Sequence, residues 1–204
     1  SGRNVDEAVE QKKPAEWIKR RYKIVETLGM GSFGIVYKAL DTHINSHVAI
    51  KEMKLAATEE RYREEVQKRF IREVEILSRL THPNIAKISD FGQTKKSLYL
   101  VMTYLPGGTL KSRLGKPIPF SIAAGLLVPI AKALSYVHKK GSIHRDVTPG
   151  NILFTDTEEP ILSDFGLVKS LRVEDPSLTK EKGLFIGTAN YAAPEQLEGD
   201  VCFQ

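Results

Sequence analysis

An aspartate, an asparagine and a second aspartate in the last third of the chain could together bind a metal ion and activate a hydroxyl group. Asp146 lies in the triplet His-Arg-Asp at residues 144–146, Asn151 follows in the same loop, and Asp164 begins the triplet Asp-Phe-Gly. Asp146 could accept a proton, and the oxygens of Asn151 and Asp164 are ligands of the kind that Mg²⁺ prefers. Each triplet alone arises by chance, so this interpretation needs support from other motifs.

A second Asp-Phe-Gly triplet, at residues 90–92, shows how little such a triplet means alone. It precedes the segment that contains Asp146 and adjoins a predicted strand in the first half of the chain. We therefore assign it no metal-binding role.

A glycine-rich segment near the start of the chain could approach phosphate groups closely. Residues 29–34 read Gly-Met-Gly-Ser-Phe-Gly. Glycines lack the Cβ atom that would keep backbone N–H groups away from phosphates. A dinucleotide-binding fingerprint would require a helix to start inside the motif, but Ile35, Val36 and Tyr37 read as a strand. These residues favour a glycine-rich hairpin folded over a nucleotide.

Lys51 ends an apolar strand that reads Val-Ala-Ile-Lys at residues 48–51. Burying an unpaired ammonium group is costly, so Lys51 either reaches solvent or has an anionic partner. A helix predicted at residues 59–80 offers Glu73, and a Lys51–Glu73 pair could hold the ammonium group against phosphates. Glu75 competes for this role, but helical geometry points the two glutamates in different directions, so only one of them can face inward.

Five motifs therefore occur in one order along the chain. The glycine-rich segment, the Lys51 strand, the Asp146 loop and the Asp164 triplet are followed by Ala-Pro-Glu at residues 193–195, which Gly-Thr at 187–188 precedes. In this order and spacing they resemble the motif set of the protein kinases. The resemblance covers residues 22–204, and the segment 187–196 is similar to the eukaryotic-like serine/threonine kinases of bacteria.

The resemblance implies a role for each matching residue. Asp146 would accept the proton of the substrate hydroxyl, and Lys51 would contact the α- and β-phosphates of ATP and pair with Glu73. Asn151 and Asp164 would hold Mg²⁺, with Mn²⁺ as an alternative metal. The residues expected to cover the phosphates are Gly29, Met30, Gly31, Ser32, Phe33 and Gly34.

The resemblance also places the adenine base between two lobes. Val36 and Ala49 would form the apolar wall above the base, and Leu153 the wall below it. The remaining contacts are expected from Met102, at the position called the gatekeeper, and from the backbone of Thr103 and Leu105. The apolar residues expected to tie the lobes together are Leu77, Ile88, His144 and Phe165. For Leu77 and Ile88, plain core packing explains their presence equally well.

In the protein kinases that this chain resembles, the arginine before the catalytic aspartate often pairs with a phosphorylated residue of the activation segment, which here would be residues 164–195. Here that arginine is Arg145, and the candidate phosphorylation sites are Ser177 and Thr179. A phosphate there would form charge-assisted hydrogen bonds and order the loop. The alternative is an ordinary solvated loop. Thr188 is expected to have a structural role near Asp146.

The chain departs from the family pattern in two places. Thr148 stands where serine/threonine kinases usually carry a lysine that supports the γ-phosphate. The loss of one cation there could cost a few kcal/mol of transition-state stabilisation. The sequence also stops at Gln204, before the later helices of the family's second lobe. We therefore expect a truncated second lobe and exposed apolar surface on a long helix predicted at residues 121–140.

The predicted elements agree with an α+β, bilobal, protein-kinase-like fold. Residues 1–21 read as a tail. Residues 22–105 read as a strand-rich N-lobe, with strands predicted at 24–28, 35–39, 47–53, 85–89 and 97–102 around the helix at 59–80. Residues 106–204 read as a partial, mainly helical C-lobe with short helices and strands, in which Ser121 would cap the long helix and Gly141 would end it.

Composition adds few constraints. The net charge of +5 is spread along the 204 residues, apart from one basic cluster at residues 19–23, so we expect no nucleic-acid binding. Cys202 is the single cysteine and allows no intrachain disulfide. The apolar stretch at 122–137 is interrupted by Pro129 and Lys132, so we expect no membrane segment and a cytoplasmic location. The sequence leaves homodimer formation open.

Three functional hypotheses remain. The leading hypothesis is a protein kinase that transfers the γ-phosphate of ATP to serine or threonine hydroxyls of proteins, including its own. A pseudokinase, which binds nucleotide or partners without transfer, is favoured by Thr148 but opposed by the presence of Lys51, Asp146, Asn151 and Asp164. A small-molecule kinase of similar fold is opposed by the Ala-Pro-Glu segment, which is typical of a peptide-docking loop.

Overall fold

Six antiparallel strands form a sheet that makes up most of the first half of the described chain. The computed structural model describes residues 17–31, 34–55, 60–94, 97–115, 117–165, 189–192 and 194. The strands are β1 Trp17–Ile18, β2 Tyr22–Gly31, β3 Gly34–Asp41, β4 Ser46–Lys54, β5 Ile88–Gln93 and β6 Ser97–Thr103. Their order across the sheet is β1-β2-β3-β4-β6-β5, so the sheet is a meander in which only the last two strands exchange places.

The hairpin of β2 and β3 contains the glycine-rich segment and is longer than the sequence indicates. A strand at 24–28 followed by a turn from Gly29 is the prediction, whereas β2 continues to Gly31. Gly29 pairs with Val36 and Gly31 pairs with Gly34, because β3 offers an extended, β-branched and aromatic partner strand. The glycines therefore lie on a paired hairpin rather than in an open turn.

Strand β5 lies further along the chain than its predicted position at 85–89. Ile85 instead makes a parallel bridge with Leu162 of the second half, and the neighbouring Ala86 N–H donates to the Leu162 carbonyl at 2.9 Å. The apolar pattern at 85–89 is real, but its first residues pair with a distant strand that local sequence cannot reveal. This segment consequently joins the two halves of the chain.

The chain enters the sheet earlier than the predicted end of the tail at residue 21. Trp17 pairs with Lys23 and Ile18 with Tyr22, so residues 17–18 form β1. Ile18 and Tyr22 are buried with Val101 in an apolar cluster on one face of the sheet. The boundary shifts to Trp17 because burial of Ile18 and the turn that follows it stabilise this pairing.

Ion pairs inside the N-lobe occupy part of the basic cluster at residues 19–23. Arg21 donates from Nε and Nη2 to the two carboxylate oxygens of Asp41 at 2.9 and 2.7 Å. Arg21 and Lys19 lie 3.8 and 3.9 Å from Asp90, which also accepts a hydrogen bond from the Tyr22 hydroxyl at 2.7 Å. These cations therefore take part in ion pairs within the N-lobe.

Helix α1, Glu60–Ser78, packs on the opposite face of the sheet and confirms the helix predicted at 59–80. Val66, Phe70 and Val74 are buried and Leu77 is partly buried, as the spacing of these residues predicts. Alternation along the strands presents their partners on this face of the sheet. Those partners are Ala49, Met53, Leu98, Leu100 and Met102.

The second half contains helix α2 Leu110–Arg113, helix α3 Phe120–Lys139 and a two-stranded sheet of β7 Ile152–Phe154 and β8 Pro160–Leu162. Its core combines residues from all four elements. These are Leu110, Ile130, Ile152, Phe154 and Leu162. The loop that contains Asp146 lies between α3 and β7, so this core holds the elements at both of its ends.

Both ends of α3 have definable caps, and one differs from the prediction. The helix begins at Phe120 with Pro119 at the N-cap and no side-chain cap bond, so Ser121 does not cap it. Proline suits this position because a helix start leaves its N–H groups unpaired in any case. At the other end Gly141 has φ 74° and its N–H donates to the His138 carbonyl at 2.9 Å. Gly141 thus ends the helix as predicted.

One face of α3 is apolar and exposed, as the sequence predicts. Phe120 is 89% exposed, and Ile122, Leu127 and Val128 are also exposed. Among the described helices, α3 is the one whose length and composition would suffice to cross a membrane. Its opposite face packs inside the protein, since Ile130, Ala133 and Val137 are buried.

We predict that the Arg21–Asp41 pair makes stability sensitive to acid. The hydrogen bond from Arg21 lowers the pKa of the buried Asp41 carboxyl. The ion pair therefore stabilises the folded protein at neutral pH. This stabilisation is lost as the pH falls below the pKa of a free aspartate, about 4, and through the lower pKa of Asp41 in the folded state. Asp41→Asn should destabilise the protein by about 1–3 kcal/mol at pH 7. Urea unfolding at pH 7 and pH 3 measures this.

The matched control for this prediction is Glu64→Gln, which removes an exposed ion pair with Lys68 on α1. Such exposed pairs contribute little, so its unfolding midpoint should stay near that of the wild type. An Asp41→Asn variant as stable as this control at pH 7 would contradict the role given to the Arg21–Asp41 pair.

Candidate active site

The side-chain amide of Asn151 holds Asp146 in place. Asn151 Nδ2 donates to the Asp146 carboxylate at 2.9 Å and to the Asp146 carbonyl at 2.8 Å. A short 3₁₀ turn, Pro149–Asn151, returns the chain so that these two side chains meet. Since the amide nitrogen of Asn151 bonds to Asp146, the amide oxygen of Asn151, Oδ1, is the atom left to act as a metal ligand.

His144 anchors the start of the same loop in the core. Its side chain is 1% exposed and its ring centroid lies 4.6 Å from that of Phe165. The Asp146 N–H donates to Nδ1 at 3.3 Å, so Nε2 carries the proton and donates to the Ser163 carbonyl at 2.9 Å. The histidine thereby joins the Asp146 loop to the strand that leads into Asp164.

Ser163 is a supporting residue that the sequence motifs do not single out. Its N–H donates to the Asn151 carbonyl at 2.9 Å, and its hydroxyl donates to the same carbonyl at 3.3 Å. With the bond from His144, Ser163 connects the two segments that carry Asn151 and Asp164. The sequence offers one signal for Ser163, a polar residue between the apolar strand β8 and Asp164. That signal does not identify His144 and Asn151 as its partners.

Two residues of the site have a strained backbone. Arg145 has φ 64° and Asp164 has φ 56°, in the left-handed region that side chains other than glycine rarely adopt. Such a conformation costs about 1–3 kcal/mol per residue and persists where the surroundings enforce it. Here the surroundings are the buried His144 before Arg145 and the buried pair Ser163 and Phe165 around Asp164. The strain therefore marks the positions where the backbone aims the site residues.

Lys51 and Asp164 form an ion pair between the two halves of the chain. Lys51 Nζ lies 3.0 Å from Asp164 Oδ1, and the two side chains are 17% and 26% exposed. Glu73 is half-buried on α1 whereas Glu75 is exposed, so of the two glutamates Glu73 is the one oriented toward the protein interior. The Lys51–Glu73 pair itself stays a prediction. The Lys51–Asp164 pair was not foreseen, because the sequence motifs lie far apart along the chain.

Gly34 closes the glycine-rich hairpin at a point with no room for a side chain. It has φ 135°, and a Cβ built there would lie 1.9 Å from the Glu52 carbonyl oxygen of β4. At Gly29 and Gly31, by contrast, a Cβ would meet nothing within 4 Å. Gly34 is thus required by the sheet, whereas Gly29 and Gly31 leave open space. Met30 between them is largely exposed.

The residues expected around adenine lie on neighbouring elements. Val36 on β3 pairs with Lys51, and Ala49 pairs with Met102 across β4 and β6. Ala49, Met102 and Leu105 are buried, Val36 and Leu153 are half-buried, and Thr103 is exposed at the end of β6. The Thr103 N–H donates to the Lys87 carbonyl at 3.0 Å.

Apolar packing connects the two halves behind these residues. Leu77 packs against the cluster below the sheet and also against the cluster that contains Phe165. Ile88 packs against the first cluster, and His144 contacts the Phe165 ring. This arrangement agrees with the set of lobe-connecting residues that the resemblance implies.

The chemistry of the available donors fits a hard divalent cation. Asn151 Oδ1 and the Asp164 carboxylate would offer oxygen ligands, and the described residues contain no cluster of three or more His, Cys, Asp or Glu side chains. A metal held by so few protein ligands must take its other ligands from water or phosphate. Mg²⁺ characteristically binds in this way.

A strand-rich lobe with one packed helix, a loop in which Asn151 holds Asp146, and an ion pair between Lys51 and Asp164 together define the protein kinase class. Comparison with known families agrees: the protein kinase domain model matches residues 22–202. The chain therefore belongs to the protein kinase family.

Individual relatives narrow this assignment. A probable serine/threonine-protein kinase of Clostridium acetobutylicum is 39% identical over 185 residues, which are 89% of this chain and 27% of the relative. Serine/threonine-protein kinase PknA of Mycobacterium tuberculosis is 34% identical over 186 residues, 88% of this chain and 42% of the relative. The chain thus spans between a quarter and a half of the length of these relatives. The eukaryotic-like bacterial subfamily predicted from the sequence is confirmed.

The fold is confirmed by a crystal structure of the PknI kinase domain of Mycobacterium tuberculosis. That domain is 30% identical in sequence and superposes with a TM-score of 0.64, over 75% of this chain and 62% of the PknI chain.

Several predicted site residues lie outside the described residues. In the glycine-rich hairpin these are Ser32 and Phe33. In and after the Asp164 triplet they are Gly166, Ser177, Thr179, Gly187, Thr188, Ala193 and Glu195.

We predict that Gly34→Ala destabilises the nucleotide-free protein by about 2 kcal/mol or more, because the new Cβ combines a left-handed φ with a clash against backbone. Gly29→Ala and Gly31→Ala are matched controls in the same hairpin and should change the unfolding midpoint little. Thermal unfolding without nucleotide measures all three variants. Equal midpoints for Gly34→Ala and Gly31→Ala would show that the close approach to Glu52 does not constrain the hairpin.

Proposed function

We propose that this domain transfers the γ-phosphate of ATP to serine or threonine hydroxyls of proteins. The observation that carries the proposal is the geometry around Asp146, whose carboxylate is fixed by Asn151 while Lys51 pairs with Asp164. The predicted proton acceptor and the Lys51–Asp164 ion pair are thus each held by separate elements of the fold. Serine/threonine specificity rests on the names of the relatives and on the segment 149–151, which fits that type better than the tyrosine type.

In this proposal Asp146 orients the substrate hydroxyl and takes up its proton as the oxygen attacks the γ-phosphorus and ADP leaves. Asn151 keeps the carboxylate aligned through its amide, which fixes one rotamer of the base. When bound, Mg²⁺ supplies charge neutralisation at the phosphates, and the ligands would be Asn151 Oδ1 and Asp164. Phosphoryl transfer needs little covalent chemistry from the protein, so positioning and electrostatics carry most of the rate enhancement.

Lys51 has a second function in this proposal. Its pair with Asp164 holds the ammonium group between the lobes. The negative phosphates of ATP compete with Asp164 for the same cation, which frees Asp164 for the metal. Glu73, half-buried on α1, is the residue we expect to keep Lys51 in place during that exchange.

The adenine site follows from the same elements. Val36 and Ala49 would contact one face of the base and Leu153 the other, with Met102 behind it. Because the Thr103 N–H is engaged by Lys87, its carbonyl would accept from the purine amino group, and the Leu105 N–H would donate to the ring. Only backbone atoms act here, so the side chain of Thr103 is free to vary.

The competing function is a pseudokinase, which Thr148 favours. Thr148 is buried, and its carbonyl accepts from the Asn151 N–H at 3.0 Å, so the position supports the loop without supplying a cation. The intact ion pair of Lys51 and Asp164 favours transfer. The proposed function includes autophosphorylation, a cytoplasmic location and no binding of nucleic acid, and it leaves homodimer formation open.

Phosphate transfer from γ-labelled ATP with Mg²⁺ to a generic serine/threonine substrate and to the protein itself tests the proposal. We expect transfer in the wild type and a loss of at least about 10²-fold in Asp146→Asn, which keeps an oxygen for Asn151 but removes the base. Wild-type protein that binds ATP yet transfers no more phosphate than Asp146→Asn would establish the pseudokinase instead.

The effect of Thr148 can be measured separately. Thr148→Lys should raise kcat by roughly tenfold by restoring a cation near the γ-phosphate, with little change in KM for ATP. Thr148→Met is the matched control, since it adds similar length without charge. If both variants lower kcat equally, crowding of the buried position outweighs any benefit from the cation, and the threonine is not a catalytic deficit.

A further inference from the structure

We propose that Arg113 positions the floor of the nucleotide site by holding residues 106–109 against strand β7. These residues follow the hinge, which is the stretch 103–105 whose backbone is expected to contact the adenine base. The inference rests on the proposed function, because it assigns to Arg113 a role in ATP binding at the same site. Arg113 contacts Gly107, Phe154 and Glu158, none of which is assigned to the nucleotide or the metal. It is therefore a positioning residue.

Each part of the Arg113 guanidinium group has a different partner. Nη2 donates to the Gly107 carbonyl at 2.7 Å and to Glu158 Oε1 at 3.2 Å, and Nη1 donates to Glu158 Oε2. The planar face lies 3.6 Å from the centroid of the Phe154 ring, which is fully buried. A rigid, planar cation can make an ion pair, a carbonyl bond and a ring contact together, which a lysine could not.

The partners of Arg113 belong to a backbone ladder that ends in the predicted adenine floor. The Gly107 N–H donates to the Phe154 carbonyl at 3.0 Å, and the Phe154 N–H donates to the Gly108 carbonyl at 3.0 Å. Thr109 then forms a bridge with Leu153. The segment after the hinge and the strand that carries Leu153 are thus bonded residue by residue. Arg113 closes the end of this ladder from outside.

Gly107 leaves no gap in this contact. A Cβ at Gly107 would lie 2.5 Å from the Thr155 carbonyl oxygen and 2.7 Å from Phe154 Cβ. The two backbones therefore touch, and the segment cannot move toward β7. It can move only away from β7. Arg113 opposes that movement because it bonds to the Gly107 carbonyl of the segment and also packs on the Phe154 ring of β7. A shift there changes the distance between Leu153 and the hinge residue Leu105.

The ion pair alone would not justify a functional role. The Arg113 and Glu158 side chains are 34% and 65% exposed, and exposed pairs contribute little to global stability. Arg113 lowers the pKa of Glu158, so both groups are charged at neutral pH. What distinguishes this pair is the additional contact with the Gly107 carbonyl and the Phe154 ring. We expect the loss of the Arg113 side chain to weaken nucleotide binding more than it lowers the stability of the fold.

Arg113→Met tests the inference, with Lys111→Met as the matched control, because Lys111 is an exposed cation on the same short helix. Dissociation constants for Mg²⁺–ADP from calorimetry, KM for ATP, kcat and the thermal midpoint are measured for each. Arg113→Met should raise the dissociation constant and KM together by about three- to tenfold, the effect of one lost positioning hydrogen bond, with kcat unchanged. Lys111→Met should match the wild type in all four quantities.

Gly107→Ala provides a second variant that keeps every charge. It forces the same segment away from β7 from the opposite side, so it should raise the Mg²⁺–ADP dissociation constant in the same direction. Glu158→Gln, which retains the Gly107 and Phe154 contacts, should have an intermediate effect. These two variants decide the question if Arg113→Met fails to fold.

Nucleotide affinity of Arg113→Met or Gly107→Ala equal to that of Lys111→Met would overturn the inference, as would a lowered thermal midpoint with unchanged affinity. A fall in kcat at constant KM would also contradict it, because it would place Arg113 in the transfer step. If the wild type binds ATP but transfers no phosphate, the proposed function fails while the Mg²⁺–ADP comparison still decides the role of Arg113.

Discussion

The ion pair between Lys51 and Asp164 is the contact on which the geometry of the site depends. It joins β4 of the sheet to the residue that follows β8, so a charged contact links the two halves of the chain. Lys51 is fixed by pairing of β4 with both neighbouring strands, and Asp164 by a strained backbone between two buried residues. The proposed movement of Lys51 from the Asp164 carboxylate to ATP phosphates would need no rearrangement of the framework, because both residues are already held.

The polar bonds around this pair form a connected set rather than separate contacts. His144 bonds to Ser163, Ser163 bonds to the Asn151 carbonyl, and the Asn151 amide bonds to Asp146. Buried polar networks of this kind are stable only when every member is satisfied. The predicted proton acceptor and the predicted metal ligands are thus aligned by the backbone and by buried groups.

The sequence was sufficient for helix α1 and for the positions of β2, β3, β4 and β6, because apolar spacing and turn residues are local properties. It placed β5 three residues early, since Ile85 pairs with Leu162 across the molecule and no local pattern encodes that bridge. It named Asp146 and Asn151 through a motif, yet it could not state that the Asn151 amide faces Asp146. Ser163 and Arg113 escaped for the same reason: their roles depend on partners that are distant along the chain.

The two Asp-Phe-Gly triplets show how context separates a structural motif from a functional one. Asp90 lies within strand β5, where it accepts a hydrogen bond from Tyr22 and faces Lys19 and Arg21, so its carboxylate is used by the N-lobe. Gly92 in that copy makes room for the Tyr99 ring, since a Cβ there would lie 2.4 Å from the Tyr99 hydroxyl.

Asp164 has the same neighbours in sequence but a left-handed backbone in place of an extended one. That single conformational difference turns its carboxylate out of the strand direction and toward Lys51, while Phe165 enters the core beside His144. The same Asp-Phe pair therefore stabilises a sheet in one place and contributes to the candidate site in the other. The backbone that the surrounding fold imposes, rather than the triplet itself, determines which chemistry the aspartate can perform.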